Sequence, residues 1–104
     1  MTKISKRTPI TALIKSELID KLWSAFVFLR RVEENRDFAK GLFTYTEIGM
    51  LAKRLEIAKM LVSGYSYIDI QDRLKVTNRT ITAVQTRLLR SEAFRRIVER
   101  LVSG

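Results

Sequence analysis

Apolar residues recur at helical spacing along almost the whole chain, and the pattern falls into six segments. The first reads as one long helix from Ile10 to about Glu34. It carries Leu13, Ile14, Leu18, Ile19, Leu22, Trp23, Ala25, Phe26, Val27, Phe28, Leu29 and Val32. Pro9 suits its first turn and Thr8 its cap. From Leu22 to Leu29 only Ser24 is polar. A helix that is apolar on nearly every side must be covered on nearly every side. A chain of 104 residues has little else to wrap around it. The pattern therefore predicts a partner chain, most simply a symmetric homodimer; a central helix inside a monomeric bundle is the alternative.

A short helix from about Asn35 to Phe43 follows, with Phe38, Ala39 and Leu42. Thr44-Tyr45-Thr46-Glu47 has the spacing of a capping box, so the next helix starts at Thr44 or Thr46 and runs to about Ser63. It places Ile48, Leu51, Leu55, Ala58 and Val62 on one stripe, widened by Met50, Ile57, Met60 and Leu61. Gly64 is its natural stop. Ser66 then caps a helix from Tyr67 to Leu74, Lys75-Val76-Thr77 make a turn, and Thr77 caps a helix from Asn78 to about Leu89. The apolar anchors Ile70, Leu74, Val76, Ile81, Val84 and Leu88 have the offsets of a helix-turn-helix over about residues 66–89. Two positions depart from the usual pattern. Lys75 stands where the turn commonly has Gly, and Gln71 where many such motifs have Ala. An ordinary helical hairpin is the plainer reading. Ser91 caps the last helix, whose Phe94, Ile97, Val98 and Leu101 form a narrow stripe suited to a packed terminal helix rather than a membrane-surface one.

Composition narrows the chemistry. Four Gly and one Pro agree with long helices and few sharp turns. The chain has no Cys and no His, which removes disulfides, zinc fingers, Cys nucleophiles and every His-based triad or metal site. With no Gly-rich phosphate loop either, no enzyme, metal or cofactor is expected. No apolar run of membrane-spanning length occurs, and the opening residues are too polar for a signal peptide, so a cytoplasmic protein without membrane contact is expected.

The net charge of +9 is uneven. Residues 1–15 hold Lys3, Lys6, Arg7 and Lys15 with no acid, residues 16–72 are nearly balanced, and residues 73–104 hold eight basic residues against Glu92 and Glu99. The stretch from Arg73 to Ser91 has no acid at all. Basic ends around a neutral middle suit a polyanion, although a solvated face has the same composition. On the second motif helix, the face opposite Ile81, Val84 and Leu88 carries Arg79, Thr82, Ala83, Thr86 and Arg90. Such a small, polar, basic face fits the major groove and offers an Arg to guanine O6 and N7. Thr80, near the helix N-terminus, suits a phosphate. Lys75, Arg87 and Tyr67 complete the candidate double-stranded-DNA-binding set, and within the arm of residues 1–9 the basic stretch, residues 3–7, suits phosphate or a minor groove. The competing class is a helical interaction module whose basic ends meet an acidic protein or RNA.

Several runs carry a family resemblance: Leu42-Phe43-Thr44-Tyr45-Thr46-Glu47-Ile48, Leu51 to Leu61 with Arg54-Leu55-Glu56-Ile57-Ala58-Lys59 at its centre, Gly64-Tyr65-Ser66-Tyr67-Ile68-Asp69-Ile70, and Thr80-Ile81-Thr82. Over about residues 18–102 the chain resembles the Trp repressor superfamily, with its YerC/YecD-like branch the nearer match. The resemblance implies an all-α, six-helix fold forming an intertwined homodimer, with residues 10–104 as a single helical domain for DNA binding and dimerisation. It implies a transcriptional regulator, in the manner of a repressor, on a near-palindromic operator. By position, Asn78, Arg79 and Thr82 are base-proximal and Thr80 meets phosphate. The family holds tryptophan between two arginines. Arg54 matches the first and Thr44 a neighbouring pocket position, but Ala83 occupies the second, so tryptophan is not expected as a corepressor. A structural ion pair of Arg54 with Glu47 or another acid is the plainer reading of that side chain.

Overall fold

The computed structural model describes residues 10–104, and among them it shows six helices and no strand: α1 Ile10–Phe28, α2 Val32–Leu42, α3 Tyr45–Val62, α4 Tyr67–Leu74, α5 Asn78–Arg90 and α6 Glu92–Ser103. The expected cap Thr8, Pro9 and the basic arm lie outside the described residues. Helices α1 and α2 belong to one compact unit, and Phe43–Gly104 make a second.

The first unit corrects the reading of a single helix to Glu34. α1 stops at Phe28, and α2 starts at Val32 rather than near Asn35 and ends at Leu42 rather than Phe43. Phe26-Val27-Phe28 is an aromatic and β-branched run with weak helix propensity. The Leu29 N–H bonds back only three residues, to the Phe26 carbonyl at 3.2 Å, as helix ends do when they tighten. A new start is favoured just beyond. Glu33 and Glu34 stand in the first turn of α2, where the helix dipole favours acids. The Glu34 carboxylate accepts from the Arg30 N–H at 3.2 Å, and the Asn35 side-chain amide donates to the Arg31 carbonyl at 2.8 Å. The break lets the chain turn back so that Phe38 meets Phe26 edge-on at 5.8 Å, while Trp23 stacks on Phe26 at 6.0 Å. No described residue of α1 or α2 is buried, although α1 is the most apolar segment of the chain.

The second unit has a dry core of Ile57, Ala58, Met60, Ile70, Ile81, Val84, Leu88 and Val98, with Tyr67, Leu74, Val76 and Phe94 packed against it. α3 lies against α4, α5 and α6, so each of the other helices reaches one central rod. Only the C-terminal half of α3 is used in this way. Leu51 and Leu55, expected on the same stripe as Ala58, stay exposed, and so do Ile97 and Leu101 of α6.

The helix ends follow local chemistry. Thr44, not Thr46, caps α3 with a complete capping box: the Glu47 N–H donates to Thr44 Oγ1 at 3.1 Å, and the Thr44 N–H donates to the Glu47 carboxylate at 2.8 Å. At the other end Gly64 takes φ 91°, while the Tyr65 N–H reaches the Met60 carbonyl at 3.0 Å and the Gly64 N–H reaches Leu61 at 3.1 Å. That is a Schellman motif, and its positive φ calls for glycine. The tight link to Ser66 follows directly.

Candidate nucleic-acid interface

Two hydroxyl caps and a left-handed turn residue set the geometry of the α4–α5 motif. Ser66 Oγ accepts from the Asp69 N–H at 3.1 Å and starts α4. Thr77 Oγ1 accepts from the Thr80 N–H at 3.2 Å and starts α5. Ile70 from α4 and Ile81 from α5 are both fully buried in the same cluster, half-buried Val76 packs beside them, and the pair is thereby locked. Between the helices Lys75 adopts φ 57° and ψ 49°, with its N–H on the Gln71 carbonyl at 2.8 Å. The departure from Gly is therefore real in sequence and absent in geometry: the lysine takes the conformation a glycine would.

That conformation costs an L-residue about 1–2 kcal/mol. Lys75→Gly is expected to recover about 1 kcal/mol of it after the extra unfolded-state entropy of glycine is subtracted. Thermal melting would show a rise of several degrees. A melting point unchanged or lowered would mean that the lysine side chain stabilises the turn by another route.

Most candidate contact residues do stand on the surface. Asn78, Arg79, Thr80, Thr82, Ala83, Arg87 and Arg90 on α5 are exposed, as is Lys75. Thr86 is half-buried. Tyr67 is half-buried too and packs against the core, which gives its ring a structural role. Thr80 Oγ1 lies 3.1 Å from Thr77 Oγ1, so the hydroxyl placed for phosphate also belongs to the cap. Arg73 is held with its guanidinium 5.0 Å from the centre of the Tyr65 ring, a cation–π contact.

A groove of about 480 Å³ runs between α3 and α5. Its lining includes Lys53 and Arg54 from α3, Lys75 from the turn, and Arg79, Ala83 and Arg87 from α5, over a floor that includes Val76 and Val84. Arg79, Ala83 and Arg87 are four residues apart and so share one side of their helix. Thr82, Thr86 and Arg90 lie outside the groove. The five cations face no acid there, and none of them is in an ion pair among the described residues. Arg54 and Ala83 are thus brought together as their positions implied, but Thr44 is not: its hydroxyl is used in the α3 cap. The ion pair expected between Arg54 and Glu47 is not formed, because the Glu47 carboxylate is turned back onto the Thr44 N–H.

Lys53 is the groove cation that sequence reasoning missed. Its signal was the Lys53-Arg54 pair, diluted by counting charge over a long, nearly balanced middle segment. No group of three or more His, Cys, Asp or Glu able to hold a metal occurs among the described residues. No described helix is long and apolar enough to cross a membrane.

Comparison with known proteins gives the chain's family. The family model of the Trp repressor protein matches residues 17–102, which contain all of α2 to α5 and the groove. The protein described as "Uncharacterized protein YerC" from Bacillus subtilis (strain 168) is 33% identical over 72 residues, covering 69% of each chain. No solved structure matches. On the family match and this relative, the chain belongs to the Trp repressor protein family, in its YerC-like branch.

Proposed function

We propose that the chain is a sequence-specific transcriptional regulator that binds double-stranded DNA as a homodimer, in the manner of a repressor. The observation that carries this reading is the acid-free outer face of α5, exposed on a helix-turn-helix whose core and caps hold it rigidly. A helix with such a surface enters a major groove without clash or repulsion, and family membership supports the same assignment. Asn78, Arg79 and Thr82 are the base-facing residues in this proposal. Thr80, Lys75, Arg87 and Arg90 meet phosphate, and Ala83 and Thr86 allow close approach. The exposed apolar surface of α1 supplies the dimer contact, setting two α5 helices against successive major grooves of a near-palindromic site. Tryptophan has no part in this reading, since Ala83 offers no guanidinium opposite Arg54.

Selection of random duplex DNA by the purified protein tests the proposal, and enrichment of a palindrome with half-sites about one helical turn apart is the expected result. On the selected site, Arg79→Ala is expected to weaken binding by about 1–3 kcal/mol per half-site and relax one position of each half-site, as loss of a bidentate guanine contact does. Arg95→Ala, which removes a cation already paired with Glu99 at 3.4 Å on α6, is the comparison. Equal effects of the two substitutions would favour a helical module that binds an acidic protein or RNA through charge alone.

A further inference from the structure

The groove between α3 and α5 is more than the side of a recognition helix. Two of its five cations, Lys53 and Arg54, come from α3, outside the helix-turn-helix. They face Arg79 and Arg87 across a space wide enough for far more than a water molecule, with no acid in the lining. Cations gathered without counter-charge repel one another, and an anion entering between them removes that repulsion. The groove is also continuous with the surface proposed to meet DNA, because Arg79, Thr80 and Arg87 belong to both.

We infer that this groove seats the DNA backbone, with Lys53 and Arg54 of α3 as phosphate contacts that act together with the recognition helix. Two consequences follow from the placement. The basic wall makes backbone affinity a property of the protein alone, so DNA binding needs no small-molecule co-ligand. Ala83 acquires a reason: a larger side chain between Arg79 and Arg87 would project into the space the phosphate occupies. The inference rests on the DNA-binding reading, and its test is separable from that reading.

The test is the salt dependence of binding to duplex DNA by the full chain, comparing wild type with Lys53→Gln/Arg54→Gln. Each phosphate contact contributes about 0.9 to the slope of log affinity against log salt. A dimer carries each residue twice, so the double variant should lose about 3.6 units of slope, and between 50 and 200 mM salt the wild type should fall by about 150-fold more than the variant. Preference among DNA sequences should be unchanged, which a misfolded reading head would not allow. Lys53→Arg/Arg54→Lys keeps both charges and should keep the wild-type slope. Arg95→Gln/Arg96→Gln removes two cations from α6 and should leave at least most of the slope in place.

A double variant with the wild-type slope would overturn the inference while leaving the DNA-binding reading standing. Absence of any salt-sensitive DNA retention by the wild type would instead remove that reading itself. A third result would also overturn the inference: inorganic pyrophosphate that stabilises the wild type at millimolar concentration, with the double variant insensitive to it yet unaltered in DNA slope. That would assign the groove to a soluble anion.

Discussion

Ile81→Ala is expected to destabilise the Phe43–Gly104 unit by about 2–5 kcal/mol, the range for removing a fully buried aliphatic side chain and leaving a cavity. Ile81 is 0% exposed and sits in a core of eight buried side chains that holds all four helices of the unit together. Small domains are stable by only about 5–15 kcal/mol, so this one change removes a large fraction of the total. At roughly 4–8 °C per kcal/mol for a domain of this size, the melting temperature should fall by about 8 °C or more. Thr82→Ala, one residue along and exposed, should change stability by no more than about 0.5 kcal/mol. Both variants are to be compared at one protein concentration, since the proposed dimer would add a concentration-dependent contribution. A loss below about 1 kcal/mol for Ile81→Ala would mean that the cavity collapses and that the packing between α4 and α5 does not depend on this residue.

Leu18→Glu/Val27→Glu is expected to abolish dimerisation. In the single chain Leu18 is 58% and Val27 70% exposed, and Trp23 and Phe28 are also open. An apolar surface this extensive marks an association site. Because neither side chain is buried within the chain, the substitutions should leave each protomer folded. They place carboxylates where a partner would otherwise desolvate them, at about 2 kcal/mol or more for each. With several such sites per dimer the dissociation constant should rise by at least ~1000-fold. Sedimentation at micromolar concentration should find the wild type at twice the chain mass of 12.1 kDa and the variant at the chain mass. The variant's DNA affinity should drop as well, because each protomer would then meet one half-site alone. A wild type that sediments as a folded monomer would refute the dimer.

Much of the fold was legible because its signals are local. The caps at Thr44, Ser66, Thr77 and Ser91 each reach an N–H three residues on, so the residues that make the bond lie within one short window. The helix-turn-helix core was legible for a related reason. On the short helices α4 and α5 the apolar positions are few, and Ile70, Ile81, Val84 and Leu88 leave little choice about which side faces inward. Lys75 shows the limit of residue preference: its neighbours impose a left-handed conformation that its own chemistry disfavours.

Elsewhere the pattern was too apolar, or the contacts too distant, to be read along the chain. Around Phe28 the local signals for a break are real but are masked by the unbroken apolar run from Leu22 to Leu29, and Val32 fits either a continued or a new helix; the turn allows Phe38 to meet Phe26. On α3 the stripe continues through Leu51 and Leu55, but only the half carrying Ile57, Ala58 and Met60 has α4, α5 and α6 beside it. The candidate groove required that same packing, since Lys53 and Arg54 meet Arg79 and Arg87 only when α3 lies against α5. By itself, then, the sequence determined the helices, their caps, the motif and the basic outer face, because hydrogen bonds over three or four residues and helical periodicity act within a few turns of chain. The tertiary structure alone decided where the first helix ends, which apolar residues are covered and which cations share one groove, because those outcomes depend on which elements come to lie beside one another.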